Sequence, residues 1–177
     1  MWQRWLAFPA SILAGLLATG LAIALFVLLL AYPNLPSIEA LTDYRPKIPL
    51  RVYSADGVLI GEFGEERRSV VKIEAVPTIL KQAILAAEDE RFYQHTGVDY
   101  VGVLRAAYSN FVQGRKLQGA STITMQVARN FFLSREKTVT RKLYEVLLSF
   151  KIEADLTKDQ ILELYINQIF LGQRAYG

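Results

Sequence analysis

Glu88-Asp89-Glu90-Arg91-Phe92-Tyr93-Gln94-His95-Thr96-Gly97 gathers three adjacent carboxylates, two aromatics, the single histidine of the chain and a turn glycine into one short segment. Leu80, Ile84 and Phe92 lead through it at helical steps. Glu88 takes the place that would complete their apolar stripe. A carboxylate in such a stripe loses water, which raises its proton affinity and suits it to act as a proton acceptor. The simpler reading is that Glu88 lies at the stripe's edge and reaches solvent. A second chemical stretch is Gly119-Ala120-Ser121-Thr122-Ile123-Thr124-Met125-Gln126-Val127-Ala128-Arg129-Asn130. Backbone amides opening a helix, with Ser121, Thr122 and Thr124 beside them and Arg129 further along, would suit an anion or sugar hydroxyls. An ordinary Ser/Thr cap is the alternative. A third is Arg141-Lys142-Leu143-Tyr144-Glu145. Here Glu145 reads either as a carboxylate held by cations over a site or as a solvated i,i+4 ion pair with Arg141.

The elements that must hold these residues follow from punctuation and period. Pro77 suits a first helical turn, and the helix should run to Phe92 or Tyr93 before His95-Thr96-Gly97 breaks it. Asp99 is the expected cap of a helix through Val101, Leu104, Ala107, Tyr108 and Phe111, ending near Gly114. Ile123, Val127 and Phe131 mark the next helix. Lys137 to Asp155 reads as a longer one, with Val139, Leu143, Val146, Leu147 and Phe150 as its core face. Thr157 should cap a last helix over 158–167, with Ile161, Leu164 and Tyr165 turned to the core.

The N-terminal third is organised differently. No charged residue occurs from Leu6 to Ile38, and residues 10–32 form an apolar run of roughly 23 residues. That is about 35 Å as a helix, enough to cross a bilayer core and too long for a cleaved signal peptide. Residues 1–9 are then a cytoplasmic N-terminus, with Arg4 against the weaker counterweight of Arg45, Lys47 and Arg51. Pro33, Pro36, Pro46 and Pro49 predict an extended linker over 33–50. Asp56-Gly57 between β-prone runs predicts a hairpin. Ser69–Ile73 would add a third strand, and Glu65-Glu66-Arg67-Arg68 a solvated turn. Residues 51–76 thus read as a β unit and 77–177 as a mainly helical catalytic domain. No polar tail precedes Gly177, so the chain reads as truncated, with an incomplete core.

Composition narrows the chemistry. The 177 residues carry a net charge of +3, no cysteine and one histidine. Disulfides, thiolate metal sites and clusters of imidazoles are excluded. Charge and motifs are not those of a nucleic-acid binder.

In order and spacing, these stretches resemble the glycosyltransferase module of class A penicillin-binding proteins, of the 1A subgroup. Glu88-Asp89-x-x-Phe92-x-x-His95-x-Gly97 is similar to that family's first motif. Gly119-x-Ser121-Thr122-Ile123-Thr124-x-Gln126-x-x-Arg129-Asn130 is similar to the second and Arg141-Lys142-x-x-Glu145 to the third. Lys158-Asp159-x-Ile161-Leu162-x-x-Tyr165-x-Asn167 resembles the fourth, and Leu171-Gly172-Gln173-Arg174-Ala175-Tyr176-Gly177 the start of the fifth. Asp43-Tyr44-Arg45-Pro46 and the hairpin carry the subgroup likeness. Met125 departs from the glutamine common at that position.

The resemblance implies a lysozyme-like helical fold, behind a single anchor that leaves the body on the outer face of a bacterial cytoplasmic membrane. It implies polymerisation of lipid II into β-1,4 glycan strands with inversion and release of undecaprenyl pyrophosphate. Its partners would be lipid II, the nascent glycan strand and membrane lipids, with cell-wall synthesis proteins or self-association as further candidates. Glu88 matches the general base, and Glu145 the second catalytic glutamate, near the donor pyrophosphate. Arg129, Lys137, Arg141 and Lys142 would hold the pyrophosphate. Gly119, Ser121, Thr122, Thr124, Gln126 and Asn130 would line the sugar and phosphate path. Asp89, Phe92 and His95 would complete the substrate-binding set, with Asp89 and His95 positioning the Glu88 loop. A divalent cation such as Mg²⁺ is compatible with the family, although the sequence shows no metal-ligand set. A transpeptidase domain would lie beyond Gly177. The rival readings are a lytic enzyme using Glu88 as an acid and an inactive membrane-anchored scaffold.

Overall fold

The computed structural model describes residues 2–42, 44, 49–64, 67–114, 119–134, 136–173 and 175–176. Asp43, Arg45, Pro46, Lys47, Glu65, Glu66, Arg174 and Gly177, all named above, lie outside these. The chain divides into two units, Met1–Pro36 and Ser37–Gly177. The first is helix α1 (Trp2–Ala31) followed by a 3-10 turn at Tyr32–Asn34. Its stretch Ala14–Asn34 is long and apolar enough to cross a membrane.

The second unit is mostly helical. The linker is less extended than its prolines suggest: besides the 3-10 turn, a one-turn helix α2 (Glu39–Thr42) interrupts it, with Leu41 buried. Strands β1 (Leu50–Tyr53) and β2 (Leu59–Phe63) form the expected antiparallel hairpin, with Gly57 at φ +83 in its turn. A glycine there avoids the steric penalty of a positive φ. Arg51 faces Glu62 across the pair, and its Nε donates to Oε1 at 2.9 Å.

No third strand forms at Ser69–Ile73. The backbone of Arg67–Arg68 (β3) lies parallel to Ala175–Tyr176 (β5), which pairs antiparallel with Phe170–Gly172 (β4). The predicted solvated turn at 67–68 is therefore an edge strand. The segment after it is satisfied by a side chain instead of a strand. Asn167 accepts from Val71 N at 2.9 Å and donates to Val71 O at 2.8 Å, giving the backbone the two bonds a strand neighbour would supply.

Helices α3 (Thr78–Glu88), α4 (Tyr100–Gln113), α5 (Ile123–Phe132), α6 (Val139–Asp155) and α7 (Lys158–Gln168) make the body. The core lies among α5, α6 and α7. Ile123, Val127, Ala128, Leu148, Ile152, Ile161, Leu162 and Tyr165 are almost wholly buried there. Thr157 caps α7 in a capping box with Gln160, as its spacing predicts.

Two helices differ from expectation. The buried side of α6 holds Glu145, Leu147, Leu148, Ser149 and Ile152, while Val139 is exposed. The core face is thus rotated from the apolar stripe, and Glu145 lies inside it. In α4, Gly114 ends the helix at φ +63 as predicted, but Asp99 gives no capping hydrogen bond. Val101, Leu104, Tyr108 and Phe111 point to solvent, with Phe111 87% exposed.

Candidate active site

Helix α3 ends at Glu88, four or five residues before the predicted end at Phe92 or Tyr93. The cause is Asp89, whose backbone leaves the helical region (φ −161, ψ 75) so that its carboxylate can turn inward. Oδ1 and Oδ2 stand 2.9 and 3.1 Å from His95 Nε2, and Oδ2 accepts from Ile123 N at 3.0 Å. Asp89 thus ties the loop after α3 to the N-terminus of α5. There a carboxylate is favoured by the free amides and the helix dipole.

Further contacts clamp the same loop. Thr122 donates to Gly97 O at 2.6 Å, and its oxygen caps Met125 N. Gly97, at φ +70, passes so close to α6 that a Cβ would lie 2.9 Å from Ser149 Oγ. Phe92 is fully buried on a 3-10 turn, with Lys158 Nζ 4.4 Å above its ring. Lys158 also pairs with Glu153 at 2.8 Å, and Glu153 accepts from Thr124 at 2.5 Å. Tyr93 donates to Asp159 at 2.8 Å, and desolvation followed by that acceptor and its charge pushes the phenol up to about 12.

The loop therefore presents Glu88 at a fixed place. Glu88 is exposed and stands at the rim of two cavities, so of the two readings of its spacing the one that takes it to solvent at the stripe's edge holds. Gln126 Nε2 donates to Glu88 Oε2 at 2.9 Å and fixes the carboxylate's orientation. The first cavity, about 420 Å³, is walled by Glu88, Asp89, Glu90, Asp99, Arg105 and the 119–122 segment. The second, about 660 Å³, contains Glu88 and Gln126 with Arg129, Lys137 and Arg141, and also Asn130 and Ser134. Acidic side chains dominate the first and cations the second.

Glu145 is 1% exposed and lines neither cavity. Lys142 Nζ donates to its Oε2 at 2.9 Å and to Ser121 Oγ at 2.8 Å. Arg141 Nη1 stands 3.1 Å from Oε1, an ion-pair contact without hydrogen-bond alignment, so Oε1 and Arg141 Nε are buried without hydrogen-bond partners.

Of the residues singled out in the sequence, Glu88, Asp89, Gly119, Ser121 and Thr122 come together at the first cavity. Gln126, Arg129, Asn130, Lys137 and Arg141 join Glu88 at the second. Phe92, His95 and Thr124 are buried tethers of the loop and helices, because their side chains are consumed by packing or by Asp89 and Glu153. The amide-lined start of α5 is not an open anion site either, since Asp89 already occupies Ile123 N. Two wall residues were missed. Arg105 gave no signal beyond a charge in an amphipathic helix. Tyr165 was assigned to the core and is buried, yet it also lines the second cavity. Burial, then the nearby Glu88 charge, push its phenol up to about 12, with Arg129 opposing.

A helical body with a carboxylate shared between an acid-lined and a cation-lined cavity fits an enzyme that moves a proton beside a large anion. Residues 56–177 match the transglycosylase family, and the chain belongs to it. Among similar curated proteins is penicillin-binding protein 1A of Neisseria gonorrhoeae, 57% identical over 163 residues, which cover 92% of this chain and 20% of that protein. The penicillin-binding protein 1A of Neisseria cinerea is 56% identical over 167 residues (94% and 21%), and that of Escherichia coli K12 is 54% identical over 145 (82% and 17%). The chain spans about a fifth of the length of the relatives it matches.

Proposed function

We propose that this chain carries the peptidoglycan glycosyltransferase activity of a class A penicillin-binding protein. It joins lipid II to a growing glycan strand with release of undecaprenyl pyrophosphate. The observation that carries this reading is the place of Glu88, on the shared rim of an acid-lined and a cation-lined cavity. A hydroxyl held in the first cavity gives its proton to Glu88 as it attacks the sugar carbon on the second-cavity side. Arg129, Lys137 and Arg141 meet the charge that develops on the departing pyrophosphate. Guanidinium groups suit phosphate oxygens because they donate in a planar fork. Gln126 orients the base; Asp89, His95 and Thr122 hold the loop that carries it.

A divalent cation at the pyrophosphate would take most of its ligands from phosphate oxygens and water, with one or two carboxylates from the protein. Among the described residues no three carboxylate or imidazole side chains are grouped to hold such an ion by themselves, and Glu145 is engaged by two cations. Arg129, Lys137 and Arg141 supply positive charge to the leaving group whether or not such an ion is bound. The same charge favours transfer from a pyrophosphate over hydrolysis of a finished strand.

The membrane reading rests on α1 and on the outer face of α4. A single pass with the N-terminus in the cytoplasm puts residues 37–177 on the outer side, where a lipid-tethered substrate is met at the bilayer surface. Helix α4 turns Gly102, Arg105 and Ala106 to the first cavity and Val101, Leu104, Tyr108 and Phe111 outward. An apolar outer face on a cavity wall suits insertion among lipid chains.

The test is Glu88→Gln in the full chain, assayed in detergent with fluorescent lipid II. Strand synthesis should fall by about 10²–10⁴-fold with the fold intact by circular dichroism. Retention of substantial synthesis removes Glu88 as the base. Release of muropeptides from purified glycan by the unaltered chain supports a lytic enzyme instead.

A further inference from the structure

We propose that Glu145 is a counter-ion shared by Arg141 and Lys142 that sets how much positive charge the second cavity presents to an anion, and not a group that transfers protons. This rests on the glycosyltransferase reading above and assigns Glu145 as a positioning residue within it.

The geometry separates Glu145 from the reacting atoms. It is buried inside α6, and both carboxylate oxygens are turned to cations on the preceding turn of the same helix. A proton donor or acceptor must reach a substrate atom directly or through one water. Glu145 instead reaches the cavities only through Arg141 and Lys142. Arg141 lines the second cavity beside Arg129 and Lys137. Lys142 bridges to Ser121, which lines the first. One negative charge thus stands between two positive ones, each leading to a different cavity.

The two arms are unequal. Lys142 is held by hydrogen bonds at both ends, to Glu145 and to Ser121. Arg141 faces Glu145 at ion-pair distance, with its Nε and the facing Oε1 both lacking hydrogen-bond partners. Buried polar atoms left in this way are under-satisfied, and an arriving anion can complete the guanidinium's bonds. A pyrophosphate in the second cavity draws Arg141 toward itself. Glu145 then balances Lys142 alone. Departure of the pyrophosphate reverses the change.

The experiment measures binding of inorganic pyrophosphate to the full chain in detergent by calorimetry, for Glu145→Gln, Lys142→Gln and the double variant. Removing the carboxylate charge beside Arg141 should tighten pyrophosphate binding by about tenfold while strand synthesis falls. A general loss of structure would weaken binding instead. Lys142→Gln should weaken pyrophosphate binding, because Glu145 then balances Arg141 alone. The same change in the Glu145→Gln background should have a much smaller effect. Unchanged or weaker binding by a folded Glu145→Gln, with synthesis lost, overturns the proposal in favour of a direct chemical role. So does strict additivity of the two substitutions. If Glu145→Gln does not fold, Lys142→Gln decides alone: weakened binding supports the shared counter-ion and unchanged binding overturns it. These readouts need no lipid II. Absence of strand synthesis by the unaltered chain would therefore fell the enzyme reading while leaving the charge coupling to stand or fall separately.

Discussion

Replacing Asp89 by asparagine tests whether a charged carboxylate holds the loop that presents Glu88. The side chain is buried and its two oxygens serve three contacts of 2.9–3.1 Å, two with His95 Nε2 and one with Ile123 N. Asparagine has the same shape but a single acceptor oxygen and no charge. If that oxygen keeps Ile123 N, the amide nitrogen faces His95 Nε2, and two donors meet. The imidazole escapes only by moving its proton to Nδ1, which is buried without a hydrogen-bond partner. Hydrogen bonds to charged groups contribute roughly 1.5–3 kcal/mol against 0.5–1.5 for neutral ones, and a buried unpaired donor costs a further ~1–3. The sum is a loss of about 3 kcal/mol. For a domain of this size that lowers the melting temperature by about 6–12 °C. The assay is thermal unfolding of the full chain in detergent, followed by far-ultraviolet circular dichroism, with strand synthesis measured well below the transition. Synthesis should fall in the folded variant, because the residue next to Glu88 has lost its anchors. If Asp89→Asn melts within about 2 °C of the unaltered chain the reasoning is refuted, since the charge would then be carrying none of these bonds.

Two further outcomes follow from elements away from the chemistry. Asn167→Ala removes both bonds to Val71 and a third to Glu163 O at 2.9 Å, leaving the half-buried Val71 backbone groups unpaired; a destabilisation of about 2–3 kcal/mol is expected in urea unfolding, and a change below about 1 kcal/mol would contradict the strand-replacing role. The chain has no cysteine, so Phe111→Cys carrying a polarity-sensitive fluorophore reports on the outer face of α4 alone. Its emission should shift to the blue on reconstitution into lipid vesicles, and an aqueous spectrum there would count against insertion of that face.

Much of the helical order was legible because local chemistry dictates it. Thr157 with Gln160 forms a capping box, Gly114 takes the left-handed conformation that ends α4, and Asp56-Gly57 turns the hairpin. Each of these acts over a few residues, where spacing is information enough. The apolar run of α1 is likewise fixed by composition. The pairing of Glu145 with Arg141 and Lys142 also follows from helical spacing alone.

What the sequence could not decide is the environment of those residues. Periodicity left open whether Glu88 sits in a desolvated stripe or at its edge; Asp89 leaves the helix for partners 6 and 34 residues away, and Glu88 stays exposed at a cavity rim. Periodicity equally put a solvated ion pair as the simple reading of Glu145, and packing of α6 in the body buried it. Val71 looked like a strand because nothing local announces that Asn167, 96 residues on, will take its backbone bonds. The sequence by itself determined which groups are available and which helices carry them. Only the tertiary structure decided which carboxylate faces solvent between two cavities and which one is enclosed by cations, because burial and charge balance are set by neighbours distant in the chain.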